Sequence, residues 1–157
     1  MRTPADIPAL LKAVGMTLVS KVGGASGSLY GSFFLEAGKA SPAGTELDAA
    51  GLEAALRAGV ASVVARGKAE PGDKTMIDAL QPAIDALGAV LADGSGIADA
   101  LGAAADAAAA GRDATEPLVA RKVRASYLGE RSAGHLDPGA ASAAILIRAL
   151  ADAAAAA

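Results

Sequence analysis

Apolar residues recur along this chain at intervals of three and four, the spacing of one face of an α-helix. Leu10, Val14 and Leu18 begin the pattern and predict a helix over residues 7–22, which ends at Gly23-Gly24. No stretch keeps the period of two that marks a half-buried β-strand. The pattern therefore predicts an all-helical protein.

Five more segments show helical spacing or helix boundary signals. Helices are predicted from about Ser26 to a loop at 38–44, from a capping box at 45–48 to Arg66-Gly67, over 77–87, over 97–110 with a continuation towards Arg121, and over 139–153. Asp73 is a candidate N-cap of the fourth helix, and Pro82 inside that helix predicts a kink or a fresh start. Asp137 and Pro138 fit the N-cap and first position of the last helix.

Composition supports one helical domain over residues 1–157. The chain is 53% hydrophobic but only 3% aromatic, so its core is built largely from alanine, the best helix former. A net charge of −3 excludes the basic face of a nucleic-acid-binding protein. The apolar run 139–147 stops at Arg148, short of a membrane span of about 18 residues. We expect a soluble cytoplasmic protein with no membrane partner.

A glycine-rich turn at residues 23–28 departs from a plain helical bundle. Glycines let backbone approach a ligand closely, and the free N–H groups of the helix that follows attract anions. Ser26 adds a hydroxyl donor. The turn lacks the Lys-Ser/Thr pair of a Walker A loop. It is either an anion site or a flexible connection between helices.

Three further segments carry charge at predicted helix ends. Residues 66–76 hold three cations, residues 121–127 hold Arg121, Lys122 and Arg124, and residues 130–139 hold the single histidine, His135. The cations suit phosphate contact, and arginine suits it best because its planar fork matches phosphate oxygens. Capping and solvation explain the same charges without any ligand. His135 is expected to be a structural residue.

In order along the chain, these segments are similar to one family. Its motifs match V-G-M-T, G-G-A-S-G and L-Y-G within residues 14–31, R-G-K-A-E-P-G-D-K-T-M-I-D-A-L at 66–80, and R-A-S-Y-L-G-E-R-S, G-H and D-P-G-A within 124–140. The chain resembles the ADP-binding L subunit of dihydroxyacetone kinase over residues 7–150.

The resemblance implies an antiparallel, up-and-down barrel of helices, with about six of the family's eight present. It implies a kinase subunit that holds ADP or ATP through Mg²⁺ ions. The subunit docks on a K subunit, which carries dihydroxyacetone, and the phosphoryl group passes to that substrate. In one branch of the family, a protein of the phosphotransferase system rephosphorylates the bound ADP.

Nucleotide contacts follow from the resemblance residue by residue. Gly24, Ala25 and Ser26 correspond to the phosphate-binding turn, and Arg124 would face the phosphates. Gly67 and Met76 would line the adenine pocket. The matched residues that would close over the nucleotide are Asp137, Pro138 and Gly139.

The chain departs from the family in its metal ligands. The family's Mg²⁺ ions are held by an aspartate cluster near the N-terminus, which Asp6 does not match, so no metal ligand is assigned and the domain is expected to be N-terminally incomplete. This departure supports an alternative function, a truncated, non-catalytic paralogue that acts as a docking module or binds an apolar ligand in its helical interior.

Overall fold

The computed structural model describes residues 4–157 and contains no β-strand in that range. The described elements are α1 (Ile7–Lys21), α2 (Gly24–Ala40), α3 (Ala49–Gly67), α4 (Ile77–Ala92), α5 (Ile97–Ala114), a 3-10 segment (Arg124–Ser132) and α6 (Pro138–Ala155). Six α-helices in residues 4–157 agree with the predicted number, and the all-α fold class is confirmed.

The helices fall into two compact units, Met1–Lys68 and Ala69–Ala157. In the first unit α1 packs on α2, and α2 packs on α3. Only Val22 and Gly23 separate α1 from α2, and so short a connection makes two packed helices antiparallel.

Glycines bring the backbones of α1 and α2 close together. A Cβ atom on Gly31 would lie 3.1 Å from the carbonyl oxygen of Gly15, and one on Gly38 would lie 3.2 Å from that of Pro8. Between α2 and α3, Gly59 makes room for the buried Phe33 ring, which would be 2.7 Å from a Cβ there. Small residues therefore set the spacing of all three helices.

In the second unit, α5 packs against both α4 and α6. The core of the second unit combines a few large side chains with many alanines: Ile77, Leu80, Ile84, Leu87, Leu101, Ala79, Ala83, Ala100, Ala104, Ala108, Ala140 and Ala143. This alanine-rich core is the one that the composition predicts.

Several local predictions are corrected by the structure. Helix α3 begins after Asp48, whose carboxylate accepts a hydrogen bond from Gly51 N at 2.8 Å, so Asp48 caps the helix in place of Thr45. Asp73 does not cap α4, because Met76 occupies the N-cap position. Helix α4 continues through Pro82, so the fresh start, one of the two alternatives predicted there, is wrong.

Helix α6 has the length and composition of a possible membrane span, with a mean hydropathy of 1.2. Length and composition alone are weak evidence, because the core helix of a soluble protein has both. Here α6 packs on α5 and α4, and it has a buried stripe that includes Ala140, Ala144 and Ile147. The stripe gives the apolar residues of α6 a packing role within the second unit.

Candidate functional site

The N-terminus of α2 leaves its first-turn amides open to solvent. Gly23 is the N-cap residue, and no side chain caps the helix. Gly24 has a φ of 71°, a conformation that glycine adopts readily, and apart from its chain neighbours and the backbone of its own helix nothing lies within 4 Å of the position a Cβ would take. Gly24, Ala25 and Ser26 are all exposed. The turn therefore has the free N–H groups and open space that an anion needs.

Gly67 lies at the end of α3 and contacts α2. A Cβ atom at Gly67 would lie 3.5 Å from Cδ2 of Leu29, one turn into α2. The helix ends in a left-handed residue, Lys68, with a φ of 48°. The first unit thus brings Gly67 next to the first turns of the helix that carries Gly24, Ala25 and Ser26.

In the second unit, two carboxylates shape the turn that precedes α4. Oδ1 of Asp78 accepts a hydrogen bond from Gly72 N at 2.5 Å, and its Oδ2 accepts one from Thr75 N at 2.7 Å. Oδ2 of Asp73 accepts one from Glu70 N at 2.9 Å. These bonds hold the turn in a fixed shape and place Met76 at the start of α4.

Met76 lies beside the N-terminus of α6. A Cβ atom on Gly139 would come within 3.2 Å of Met76 N and 3.4 Å of Met76 Cβ. Pro138 is exposed, whereas Met76 is only 6% exposed. The fold therefore brings together four of the predicted site residues: Met76, Asp137, Pro138 and Gly139.

Asp137 is a buried carboxylate that caps α6. Its Oδ2 accepts a hydrogen bond from Ala140 N at 2.7 Å, while its own N–H donates to Oγ1 of Thr115 at 2.9 Å. Burial raises the pKa of Asp137, and the nearby charge of Asp78 adds to this rise. Hydrogen bonds from the backbone of Ala140 and Gly139 and the charge of Lys74 oppose it.

Arg124 is exposed at the start of the 3-10 segment. It follows Val123, which has a φ of 52°, a rare value for a β-branched residue. No carboxylate in residues 4–157 forms a salt bridge with Arg124. Its guanidinium is thus accessible to a ligand from solvent.

Two interpretations of the cations at 66–76 were open, phosphate contact and a solvated charge. Neither describes Lys74. It is 3% exposed, and its ammonium group is surrounded by backbone carbonyls. No local sequence signal points to this environment, because the carbonyls come from residues about 40 to 60 positions away.

No cluster of three or more His, Cys, Asp or Glu side chains in residues 4–157 is arranged to hold a metal ion. Mg²⁺ prefers several oxygen ligands. The described residues therefore do not fit the Mg²⁺ site that the family resemblance implies.

Comparisons with known proteins agree with this all-helical, glycine-rich architecture. Residues 1–152 match the DAK2 domain. The chain is 47% identical over 146 residues to the PEP-dependent dihydroxyacetone kinase, ADP-binding subunit DhaL, of Escherichia coli (strain K12), covering 93% of this chain and 70% of that protein. It is 38% identical to the triokinase/FMN cyclase of Rattus norvegicus, with 94% and 25% covered.

Solved structures show the same relationship. The dihydroxyacetone kinase of C. freundii in its native form matches with a TM-score of 0.66 and 34% identity, over 94% of this chain and 24% of that one. The same enzyme in complex with AMP-PNP and Mg²⁺ gives a TM-score of 0.64 over 94% and 23%. This chain belongs to the DAK2 domain family, which confirms the resemblance seen in the sequence.

Proposed function

We propose that this chain is the nucleotide-binding subunit of a dihydroxyacetone kinase and takes part in phosphoryl transfer to dihydroxyacetone bound on a partner K subunit. The observation that carries the proposal is the 47% identity to an ADP-binding subunit across 93% of the chain. The bound nucleotide would be ADP or ATP, as the AMP-PNP complex of the C. freundii enzyme suggests.

Nucleotide contacts are proposed in each unit separately. In the first unit, the uncapped N-terminus of α2 offers the amides of Gly24, Ala25 and Ser26 to phosphate oxygens, and Gly67 lines the base pocket. The remaining residues proposed to contact the nucleotide lie in the second unit: Met76, Arg124, Asp137, Pro138 and Gly139. Backbone amides and an arginine are the groups that phosphoryl transfer chiefly needs from a protein, since it depends on positioning and charge stabilisation.

The proposal extends to organisation and partners. We treat residues 1–157 as one nucleotide-binding domain in the cytoplasm, because the DAK2 match spans both compact units. The relatives from Escherichia coli and Lactococcus lactis are named PEP-dependent and PTS-dependent. These names favour a phosphotransferase-system protein as the phosphoryl donor.

Calorimetric titration of the chain with ADP, with and without Mg²⁺, tests the proposal. Saturable binding at one ADP per chain is the expected result. Absence of heat and of thermal stabilisation at millimolar ADP under both conditions would contradict nucleotide binding. A ligand that binds only the folded state raises the unfolding temperature, so a thermal scan checks the titration independently.

A pair of serine variants locates the site. The Ser26 hydroxyl forms no hydrogen bond in the described structure, whereas the Ser28 hydroxyl donates to Ala25 O at 3.0 Å. Ser26→Ala should weaken ADP binding roughly tenfold, the loss expected when a hydrogen bond to a charged group is removed. Ser28→Ala, in the same exposed turn, is the control and should leave the affinity for ADP close to that of the wild type.

A further inference from the structure

Lys74 is a buried cation held by carbonyl oxygens. Its Nζ lies 2.6 Å from Ser132 O, 2.6 Å from His135 O and 3.0 Å from Leu118 O. Glu116 O is 3.4 Å away. An ammonium group has three protons, so the three shorter distances account for all of its donors. The fourth carbonyl contributes its dipole.

This arrangement offsets the cost of burial. A charged ammonium in a protein interior is stable only when it is well hydrogen-bonded or paired. No carboxylate forms a salt bridge with Lys74 in residues 4–157, so backbone carbonyls make its direct contacts, and the buried carboxylate of Asp137 is near enough to interact with its charge. The backbone of Lys74 also adopts a φ of 63°, which few non-glycine residues do. The hydrogen bonds hold the side chain, and the unusual backbone angle shows that the fold fixes the main chain at this position.

The four carbonyls belong to the two ends of one long connection. Glu116 and Leu118 follow α5, whereas Ser132 and His135 precede α6. The ends are also joined directly, since Gly134 N donates to Glu116 O at 2.7 Å. The 3-10 segment occupies the second half of this connection and ends at Ser132. A single side chain therefore gathers both ends of the connection that carries Arg124.

We propose that Lys74 is a positioning residue: its ammonium group fixes the segment 116–135, and thereby Arg124, in the conformation that binds the nucleotide. The inference rests on the proposed function only for the identity of the ligand. It differs from the phosphate contact that the sequence suggested for Lys74, because the ammonium is enclosed by protein oxygens and does not face solvent.

Limited trypsin digestion tests the anchoring step. The segment contains four trypsin sites, at Arg121, Lys122, Arg124 and Arg131. Lys74→Met removes the ammonium group but keeps a side chain of similar length, and it should accelerate cleavage in this segment. Lys39→Met is the control, since Lys39 is exposed and pairs with Glu36. Cleavage at Arg57, in the first unit, should keep its wild-type rate in both variants.

ADP titration of the same variants tests the positioning step. Lys74→Met should weaken ADP binding roughly tenfold or more at a temperature where its circular dichroism is native, because a displaced contact residue loses its geometry. Lys74→Arg should restore the affinity for ADP only in part, since a planar guanidinium does not match this set of carbonyls. Lys39→Met should bind ADP like the wild type.

The outcomes separate the two proposals. If the wild type fails to bind ADP, the proposed function fails, while the trypsin result still decides whether Lys74 holds the segment. If the wild type binds ADP, unchanged cleavage at 121–131 in Lys74→Met overturns the inference, and so does faster cleavage with unchanged ADP affinity.

Hydrogen exchange on the unaltered protein gives a test that does not depend on the folding of a variant. Ala120 N donates to Oγ of Ser132 at 2.8 Å, and Arg121 N donates to Asp73 O at 3.1 Å. The amides of Ala120, Arg121 and Gly134 should exchange as slowly as the core amides of α4. Exchange at the rate of an exposed loop would overturn the anchoring role.

Discussion

The carbonyl oxygen of Asp78 in α4 lies so close to Gly111 of α5 that a Cβ atom on Gly111 would overlap with it. Pro82 lies four residues after Asp78 and has no N–H to donate to that oxygen. The proline thus removes the usual helical partner of this carbonyl, and the glycine lets α5 approach it closely. The two residues fix the contact between α4 and α5 at this point.

Gly111→Ala should therefore destabilise the protein by about 1–3 kcal/mol, the usual cost of overpacking, because the backbones of α4 and α5 would have to separate. Gly102→Ala is a matched control in the same helix, since nothing lies within 4 Å of its Cβ position. The control should stabilise the protein by roughly 0.5–1 kcal/mol through helix propensity. Urea denaturation of both variants measures the difference, and equal effects would contradict the proposed close approach.

Gly31→Ala should destabilise the first unit for the same reason. A Cβ there would overlap Cγ2 of Val19 and lie 3.1 Å from the carbonyl oxygen of Gly15. The side chain of Val19 can move, but the backbone of α1 must also shift, so a loss of about 1–3 kcal/mol is expected. Thermal unfolding monitored by circular dichroism measures it, with Gly102→Ala again as the control. A wild-type unfolding temperature would show that α1 and α2 can separate freely.

The pKa of Asp137 predicts a pH-dependent difference between two variants. Its pKa is raised by folding above the ordinary value of 3.8, so the protonated form is favoured in the folded state. The stability from this group is complete below pH 3.8 and is lost as the pH rises through the higher pKa of the folded protein. Asp137→Asn cannot ionise and still accepts a hydrogen bond as an N-cap residue.

Relative to the wild type, Asp137→Asn should therefore gain stability as the pH rises from about 3 to 7. Asp137→Ala should lose about 1 kcal/mol of stability, because Ala140 N loses its hydrogen-bond acceptor at the N-cap. Urea denaturation at several pH values measures both. If the difference in unfolding free energy between Asp137→Asn and the wild type stays constant with pH, the raised pKa is contradicted.

Arg124→Ala should weaken ADP binding roughly tenfold or more, because a hydrogen bond between charged groups is among the strongest that a protein makes. Stability should change little, since Arg124 is exposed and forms no salt bridge within residues 4–157. Arg148→Ala is the control: Arg148 pairs with Asp106 on the surface, an interaction usually worth under about 1 kcal/mol. Equal ADP affinities of the two variants would remove Arg124 from the nucleotide site.

The ends of several helices were predictable from local chemistry. Asp137 and Pro138 begin α6 as the sequence predicts, and α5 begins at Ile97, the predicted start of the fifth helix. Glu53 and Arg57 form an ion pair at 2.8 Å, because residues four apart on a helix are neighbours. Arg148 and Asp152 are also four residues apart, but Arg148 binds Asp106 of α5, because the packing of α5 on α6 offers a partner that sequence spacing does not reveal.

Residue types at short spacing were enough to establish the helical periodicity, the alanine-rich core and the family. They did not show which small residues allow close contact or which polar groups are buried. Gly111 and Gly102 look alike in the sequence, but only Gly111 faces a backbone oxygen. Lys74 looks like its neighbour Lys68, yet the fold places four carbonyls from distant positions around its ammonium group. Contacts between residues far apart in the chain depend on how whole helices pack, which local patterns do not encode.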